Sequence, residues 1–390
     1  MLLDNKQVAI IGGGPGGLTL ARLLQLKGID VKVYERDFNK DVRVQGATLD
    51  LHYESGLKAL EAAGLMDAFK ENYRPGADKG RIVDEQANII YDEHTKASAE
   101  PFNDDFNNKW ARPEIDRGPL RNMLLNSLRP DTVVWDSQFK TMSQVGDGWK
   151  LEFKNGTTAT ADIVIGADGA YSKIRPFITS LKPYYAGTTI VQGNVEHAET
   201  AVPAIHQLLK GGKIYAHGSG IFLHVSSKGD GSLDFYISCK KDENWAQNSG
   251  IDFSDRMQLL VWFKNEFPEW GNIWLELFEN ASLPLIPRPQ YCMHLDQTWE
   301  AQPNITMLGD AAHIMPPSGE GVNLAMLDAL EISECLTSGN FNDIQTAIAA
   351  YEKQMRLGAA AEAKVSLEMA EWMHAEGASA KMVQMLTQAG

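Results

Sequence analysis

Cysteine is scarce in this chain of 390 residues. Only Cys239, Cys292 and Cys335 occur, widely spaced and without a metal-ligand pattern. Buried free thiols in a reducing cytoplasm are expected. Positive charge is also in deficit, with 36 Lys and Arg against 51 Asp and Glu and a formal net charge of −15. An acidic surface repels phosphate backbones, which argues against a nucleic-acid partner. No apolar run is long enough to span a bilayer. Met1 leads straight into a strand pattern with no basic n-region or cleavage site, so no secretion signal is expected. Internal repeats and low-complexity segments are absent. Any redox chemistry must therefore come from a bound cofactor. What is present is an ordinary globular balance, 44% hydrophobic and 22% charged, long enough for two domains.

Val8-Ala9-Ile10-Ile11 reads as a buried parallel strand before a glycine cluster. Leu18 to Lys27 has helical spacing and stops at Gly28. Val31 to Tyr34 is a second strand ending at Glu35. Ser55 to Ala63 and Pro119 to Leu128 read as helices, Trp149 to Phe153 as a hairpin strand leading to Asn155-Gly156, and Asp162 to Ile165 as another buried strand. Residues 185–240 change character. Thr188 to Val195, Lys213 to His217, Ile221 to Ser226 and Leu233 to Cys239 are strand-like runs separated by turn signals, which predicts an antiparallel sheet. Ile305 to Leu308 returns to the buried parallel type. A long alanine-rich helix is expected from about Ile344 to Met373. This order predicts an α/β protein. A discontinuous Rossmann-like domain (1–70, 101–178 and 295–340) accepts an inserted antiparallel sheet domain (71–100 and 179–294), and 341–390 form a C-terminal bridging helix.

Gly12-Gly13-Gly14-Pro15-Gly16-Gly17 fits G-x-G-x-x-G. Gly12 permits the tight turn, Gly14 leaves space for a pyrophosphate, and Gly17 lets the helix behind Pro15 pack on the strand. The helix N-terminus offers free N–H groups to phosphate. Glu35, 18 residues after Gly17, ends the second strand, where a carboxylate accepts from ribose hydroxyls. Arg36 beside it is placed to stack on adenine or touch phosphate. Strand, loop, helix, strand and acid in register predict dinucleotide binding, without deciding between NAD and FAD. Two further segments carry chemistry. Asp162 to Arg175 contains Asp168-Gly169. Gly309 to Asn323 is a strand end, a loop with Pro316-Pro317 and a glycine-rich helix start. There Asp310 is placed to accept from a ribityl hydroxyl, and the N–H groups of Gly321, Val322 and Asn323 can face developing negative charge. Taken singly, Asp310 could be a helix cap and His313 a packed loop histidine.

Together these three segments resemble the class A flavoprotein monooxygenases, the para-hydroxybenzoate hydroxylase superfamily, across essentially the whole chain. Asp162 to Arg175 is similar to that family's DG motif, linked to FAD and nicotinamide contact. Gly309 to Asn323 is similar to its GD motif, which holds the flavin. Val8 to Arg36, Gly46 to His52, Glu114 to Arg117 with Leu120-Arg121, and Gly309 to Asn323 resemble the tetracycline-inactivating members more closely. That resemblance implies FAD contacts from Glu35, Arg36, Asp50, Arg117 and Asp310. Arg121 lies i+4 from Arg117 on the same helix face, so it too is a candidate for the cofactor. The loop after Pro317 departs from those members. It reads Ser-Gly-Glu-Gly, one residue shorter, and carries Glu320, an unfavourable charge near an anionic flavin unless it turns away or meets a cation.

The implied activity is hydroxylation of an aromatic or polyketide-like molecule, tetracycline-like ones included, through a flavin C4a-hydroperoxide. FAD is the cofactor, NADPH or NADH a transient co-substrate and O₂ the oxidant. No catalytic acid or base and no metal is expected, and the chain is expected to be monomeric and cytoplasmic. Gln192, Lys213, Tyr215, Phe222 and Asp234 are the substrate-side candidates. Ordinary sheet side chains are the competing reading for each of them. Lys213 and Asp234 stand where the tetracycline-inactivating members use arginine and histidine, which argues against tetracycline itself. Two alternatives stay open: a flavin halogenase or reductase on the same fold, and a non-catalytic FAD- or antibiotic-binding protein. The halogenase segment Trp-x-Trp-x-Ile-Pro is not found. Glu320 is the feature that favours the binding protein.

Overall fold

A computed structural model describes residues 2–42, 46–95, 106 and 112–388. Its first layer is a parallel sheet of five strands, in the order Ile305–Met307, Ile163–Gly166, Val8–Ile11, Val31–Tyr34, Val133–Val134. Strands buried on both faces read as continuous apolar runs, as Val8–Ile11 and Ile163–Gly166 do. The helix Pro15–Leu26 covers one face and packs against Gly321–Thr337. A meander of Phe139–Val145, Gly148–Phe153 and Thr158–Ala161 flanks this layer.

The second layer is a sheet of seven strands, in the order Ile286–Cys292, Tyr184–Val195, Leu233–Lys240, Ile221–Ser227, Lys213–Gly218, Gly80–Val83, Ile89–Asp92. It is antiparallel except where Lys213–Gly218 runs parallel to Gly80–Val83, a non-local pairing that alternation within one segment cannot reveal. Ile286–Cys292 was not expected as a strand. Pro287 and Pro289 break its pattern, and the strand lies at the sheet edge, where a missing N–H is tolerated. Ile214, Leu223, Phe235 and Ile237 point from one face of this sheet into an apolar core with Trp274 and Phe278. The alternate residues are left on the other face.

The chain enters and leaves the five-stranded sheet around the seven-stranded one, so the fold is α/β with an inserted antiparallel sheet. The expected division between residues 100 and 101 lies outside the described residues. Ser55 to Ala63 is not one α-helix but a wide turn, Tyr53–Leu57, followed by Lys58–Ala62. The long helix Ile344–Trp372 continues through Gly358. Its Ser366 hydroxyl donates to the carbonyl of Pro316, which ties the helix to the loop before Gly321. Among the described residues no helix is long and apolar enough to cross a membrane.

Candidate functional site

The glycine loop is shaped by contacts that only a missing Cβ permits. A Cβ on Gly12, whose φ is +113°, would lie 2.2 Å from the Ala167 carbonyl oxygen, and one on Gly17 2.1 Å from that of Gly12. On Gly14 it would meet nothing within 4 Å. Gly14 is the N-cap of Pro15–Leu26 and gives no side-chain cap, so the first amides of that helix have no side-chain acceptor from their N-cap. Glu35 is buried beside them. Its Oε2 accepts from Gly13 N–H at 2.5 Å and its Oε1 from Asp37 N–H at 2.9 Å. A carboxylate has about four lone-pair sites, so two still remain for ribose hydroxyls. Arg36 is exposed.

The other two motifs converge on this loop. Asp168 follows the strand Ile163–Gly166. Its Oδ2 accepts from Lys173 N–H at 2.7 Å, while Oδ1 is buried without a partner. Arg175 donates to the main-chain carbonyls of Ala311 at 2.7 Å and Asp310 at 2.9 Å, joining the two motifs. The Asp310 side chain itself is exposed. His313 is instead a buried structural residue, as the blander reading had it. Asp328 Oδ2 binds its Nε2 at 2.7 Å and the Gly309 N–H at 2.7 Å. Pro317 and Gly321 are exposed, Val322 is half-buried and Asn323 is buried.

Asn323 clamps the helix start to the segment carrying Asp50. Its amide donates to the Asp50 carbonyl at 2.9 Å and accepts from His52 N–H at 2.9 Å. The His52 ring then lies between two carboxylates, with Nε2 3.0 Å from Asp50 Oδ2 and Nδ1 2.9 Å from Glu320 Oε1. Burial of His52 opposes its charge, but hydrogen bonds to Asp50 and Glu320 push its pKa up to about 9. Burial of Asp50 likewise works against ionisation, and the His52 hydrogen bond with the Lys213, His52 and Arg112 charges outweighs it, holding Asp50 down at about 2. Glu320 therefore meets a cation. His52 was not singled out from sequence. It falls inside the Gly46–His52 run beside its partner Asp50, but its other partner, Glu320, is remote in sequence.

Arg117 and Arg121 part company despite their i,i+4 spacing. Exposed Arg117 donates from Nε to the Ala47 carbonyl at 3.1 Å, and its charge acts on Asp310. Arg121 is buried. It pairs with Asp37 at 2.9 Å, donates to the Lys40 carbonyl at 3.2 Å and lies over the Trp135 ring. Those contacts occupy the Arg121 guanidinium within the protein.

Gln192, Lys213, Tyr215, Phe222 and Asp234 all lie on the face of the seven-stranded sheet opposite its apolar core. The register lays them out in rows. Lys213, Ser226, Asp234 and Asn194 form one, Tyr215, His224, Tyr236 and Gln192 the next, and His217, Phe222 and Ser238 the third. The first row abuts the strand Glu114–Ile115. Lys213 is paired with buried Glu114, so it is already neutralised within the protein. The hydroxyl of Tyr236 accepts from Ala47 N–H at 2.8 Å. Gln192 accepts from Arg288 at 2.7 Å, and Asp234 is nearly sealed from solvent, 1% exposed, with Lys228 at 3.7 Å. Beyond it the face is aromatic. His217 stacks on Phe222 at 4.9 Å between centroids, and Tyr215 lies 5.0 Å from His224. Burial depresses both imidazoles, His217 to about 4 and His224 to about 3, so they are neutral at pH 7. His374, beyond the long helix, hydrogen-bonds Ser238 at the end of the third row. His217, His224 and Tyr236, which the register sets on the same face as Tyr215 and Phe222, were passed over.

Strand, glycine loop, helix N-terminus and buried acid in this arrangement define a dinucleotide-binding α/β protein. The chain belongs to the FAD binding domain family, which it matches over residues 5–258. The open space at Gly14, the uncapped helix and the unpartnered Asp168 oxygen fit that cofactor. Among curated proteins, the chain is similar to monooxygenase penA of Penicillium thymicola, 27% identical over 85% of this chain and 84% of the relative. It shares its fold with HpxO of Klebsiella pneumoniae, solved with FAD and uric acid, at a TM-score of 0.75 and 20% identity over 99% and 94% of the two chains. The fold also matches tetracycline destructase Tet(51), with a TM-score of 0.69 and 18% identity over 97% and 96%.

Proposed function

We propose that the protein is an FAD-dependent monooxygenase that uses NADPH or NADH and O₂ to hydroxylate an aromatic or polyketide-like small molecule. The observation that carries this reading is the neutral ring-lined face of Tyr215, His217, Phe222, His224 and Tyr236. It belongs to the same sheet whose Lys213 pairs with Glu114 and acts by charge on Asp50, the residue whose carbonyl Asn323 holds. A planar, uncharged ring system stacks on such a face at little desolvation cost. FAD, when bound, supplies electron transfer from the nicotinamide and the activation of O₂.

The chain supplies binding, orientation and water exclusion. The amides behind Gly14 hold phosphate, Glu35 the ribose, and Asp310 with Arg117 the middle of the cofactor. Asp168, Pro317, Gly321, Val322 and Asn323 border the ring, and the Gln192 amide is the polar group that orients substrate, while Asp234 is sealed beside Lys228. The feature that favoured a non-catalytic binding protein, Glu320, loses its force because His52 neutralises it.

NAD(P)H oxidation by the FAD-loaded protein tests the reading, with phenols, anthraquinones and tetracyclines as the panel and product mass and H₂O₂ as readouts. Expected is substrate-stimulated oxidation with a product one oxygen atom heavier. A protein that binds FAD but whose NAD(P)H oxidation no ligand accelerates, with no oxygenated product, contradicts it.

A further inference from the structure

Glu320 is the N-cap residue of Gly321–Thr337, yet its side chain makes no cap hydrogen bond to that helix. Its carboxylate is turned to His52 Nδ1 at 2.9 Å, while Nε2 of the same ring meets Asp50 at 3.0 Å. A neutral imidazole has one N–H, so two carboxylates on its two nitrogens are both satisfied only by the imidazolium. The other charges around the ring are Arg112, 3.9 Å from Asp50, Lys213 and Glu114 on the Asp50 side, and Glu362 of the long helix on the Glu320 side. Only His52 among them contacts both carboxylates. An anion at this helix end opposes a second negative charge nearby, and a fixed cation beside it removes the opposition.

We propose that His52 is a positioning residue for the flavin: it cancels Glu320 at the start of Gly321–Thr337, so that this helix end still favours the extra negative charge of reduced FAD. The inference rests on the reading above that the flavin ring lies against this helix start. Asn323 holds the main chain of His52 and Asp50 through neutral groups, so the segment keeps its place when the His52 ring is altered. Asp50, His52 and Glu320 together carry one net negative charge. His52→Gln makes that two, Glu320→Gln none, and the double substitution returns it to one.

The test is the midpoint potential of FAD bound to the wild-type protein and these three variants, by dye-equilibrated reduction. Expected are a more negative potential in H52Q, a more positive one in E320Q, and a return to the wild-type value in the double variant. Compensation of that kind is not expected from a merely structural histidine, whose loss the second substitution cannot repair. Equal potentials in all four FAD-bound proteins, or a double variant as negative as H52Q, overturn the inference and leave the proposed function standing. A wild-type chain that holds no FAD overturns both. If H52Q does not fold, E320Q alone decides the sign, and the absence of a positive shift refutes the argument.

Discussion

Alanine at Gly14 is predicted to separate cofactor binding from folding, with alanine at Gly12 as its control. Gly14 has φ −77° and ψ 178°, a backbone any residue adopts, and an added Cβ has nothing within 4 Å. Alanine restricts the unfolded chain, stabilising by about 0.4–1 kcal/mol. It is also a poorer N-cap than glycine, which offsets that gain by roughly the same amount. The unfolding free energy without FAD should thus stay within about 1 kcal/mol of wild type. At Gly12 the backbone lies at φ +113° and the new Cβ 2.2 Å from the Ala167 oxygen. Strain of about 1–3 kcal/mol adds to overpacking of about 1–3 kcal/mol, a large share of the roughly 5–15 kcal/mol that holds a domain together. FAD binding is where Gly14→Ala should show its effect. The Gly14→Ala methyl enters the space through which a pyrophosphate reaches the helix amides, and the Kd should rise at least about tenfold, about 1.4 kcal/mol. Flavin-fluorescence titration of the apoprotein, beside thermal unfolding without FAD, reads both quantities. A Gly14→Ala protein that binds FAD with the wild-type Kd refutes the placement of the phosphates.

Three other outcomes follow from the site. His52, raised to about 9 from an ordinary 6.5, contributes stability that is fully present below pH 6.5 and is lost as pH rises through 9. The gap between wild type and His52→Gln should therefore narrow by about 3 kcal/mol over that window, followed by urea unfolding against pH, and a constant gap contradicts the imidazolium. Lys213→Met strands buried Glu114 and should cost about 3–5 kcal/mol, with Lys213→Met/Glu114→Leu recovering most of it. An unchanged Tm with only a raised KM would restore Lys213 to a substrate role. Phe222→Ala should weaken aromatic substrate binding by about tenfold and raise H₂O₂ release at unchanged FAD affinity, since stacking on this row contributes on the order of 1 kcal/mol beyond area. A weakened FAD affinity would place Phe222 elsewhere.

What could be read from sequence is what is contiguous. The glycine loop, its helix and Glu35 lie within one strand–helix–strand unit, so spacing alone carries the chemistry. The runs at Lys213, Ile221 and Leu233 alternate cleanly because one face meets an apolar core, and the cross-strand register, which the sequence does not show, sets the five substrate candidates on the other face. The two-residue strand Val133–Val134 is too short to show a period. Arg121 shows the limit from the other side. Helical spacing places it one turn from Arg117, but its partner Asp37 arrives from beyond the end of the strand Val31–Tyr34, 84 residues away in sequence. Lys213 likewise shows alternation in its own strand and nothing of Glu114, which reaches it from another sheet.

Glu320 makes the same point with a functional edge. Read along the chain, a carboxylate next to a helix start that should meet a flavin is a defect, and it argued for a protein that binds without turning over. In three dimensions Asn323 brings Asp50 and His52 to that helix start, and the ring places one cation between two anions. The charge on Glu320 is then no longer an isolated property of the loop. It is one member of a trio whose sum is set by His52, so a substitution at either position should be judged by the charge it leaves on the other two.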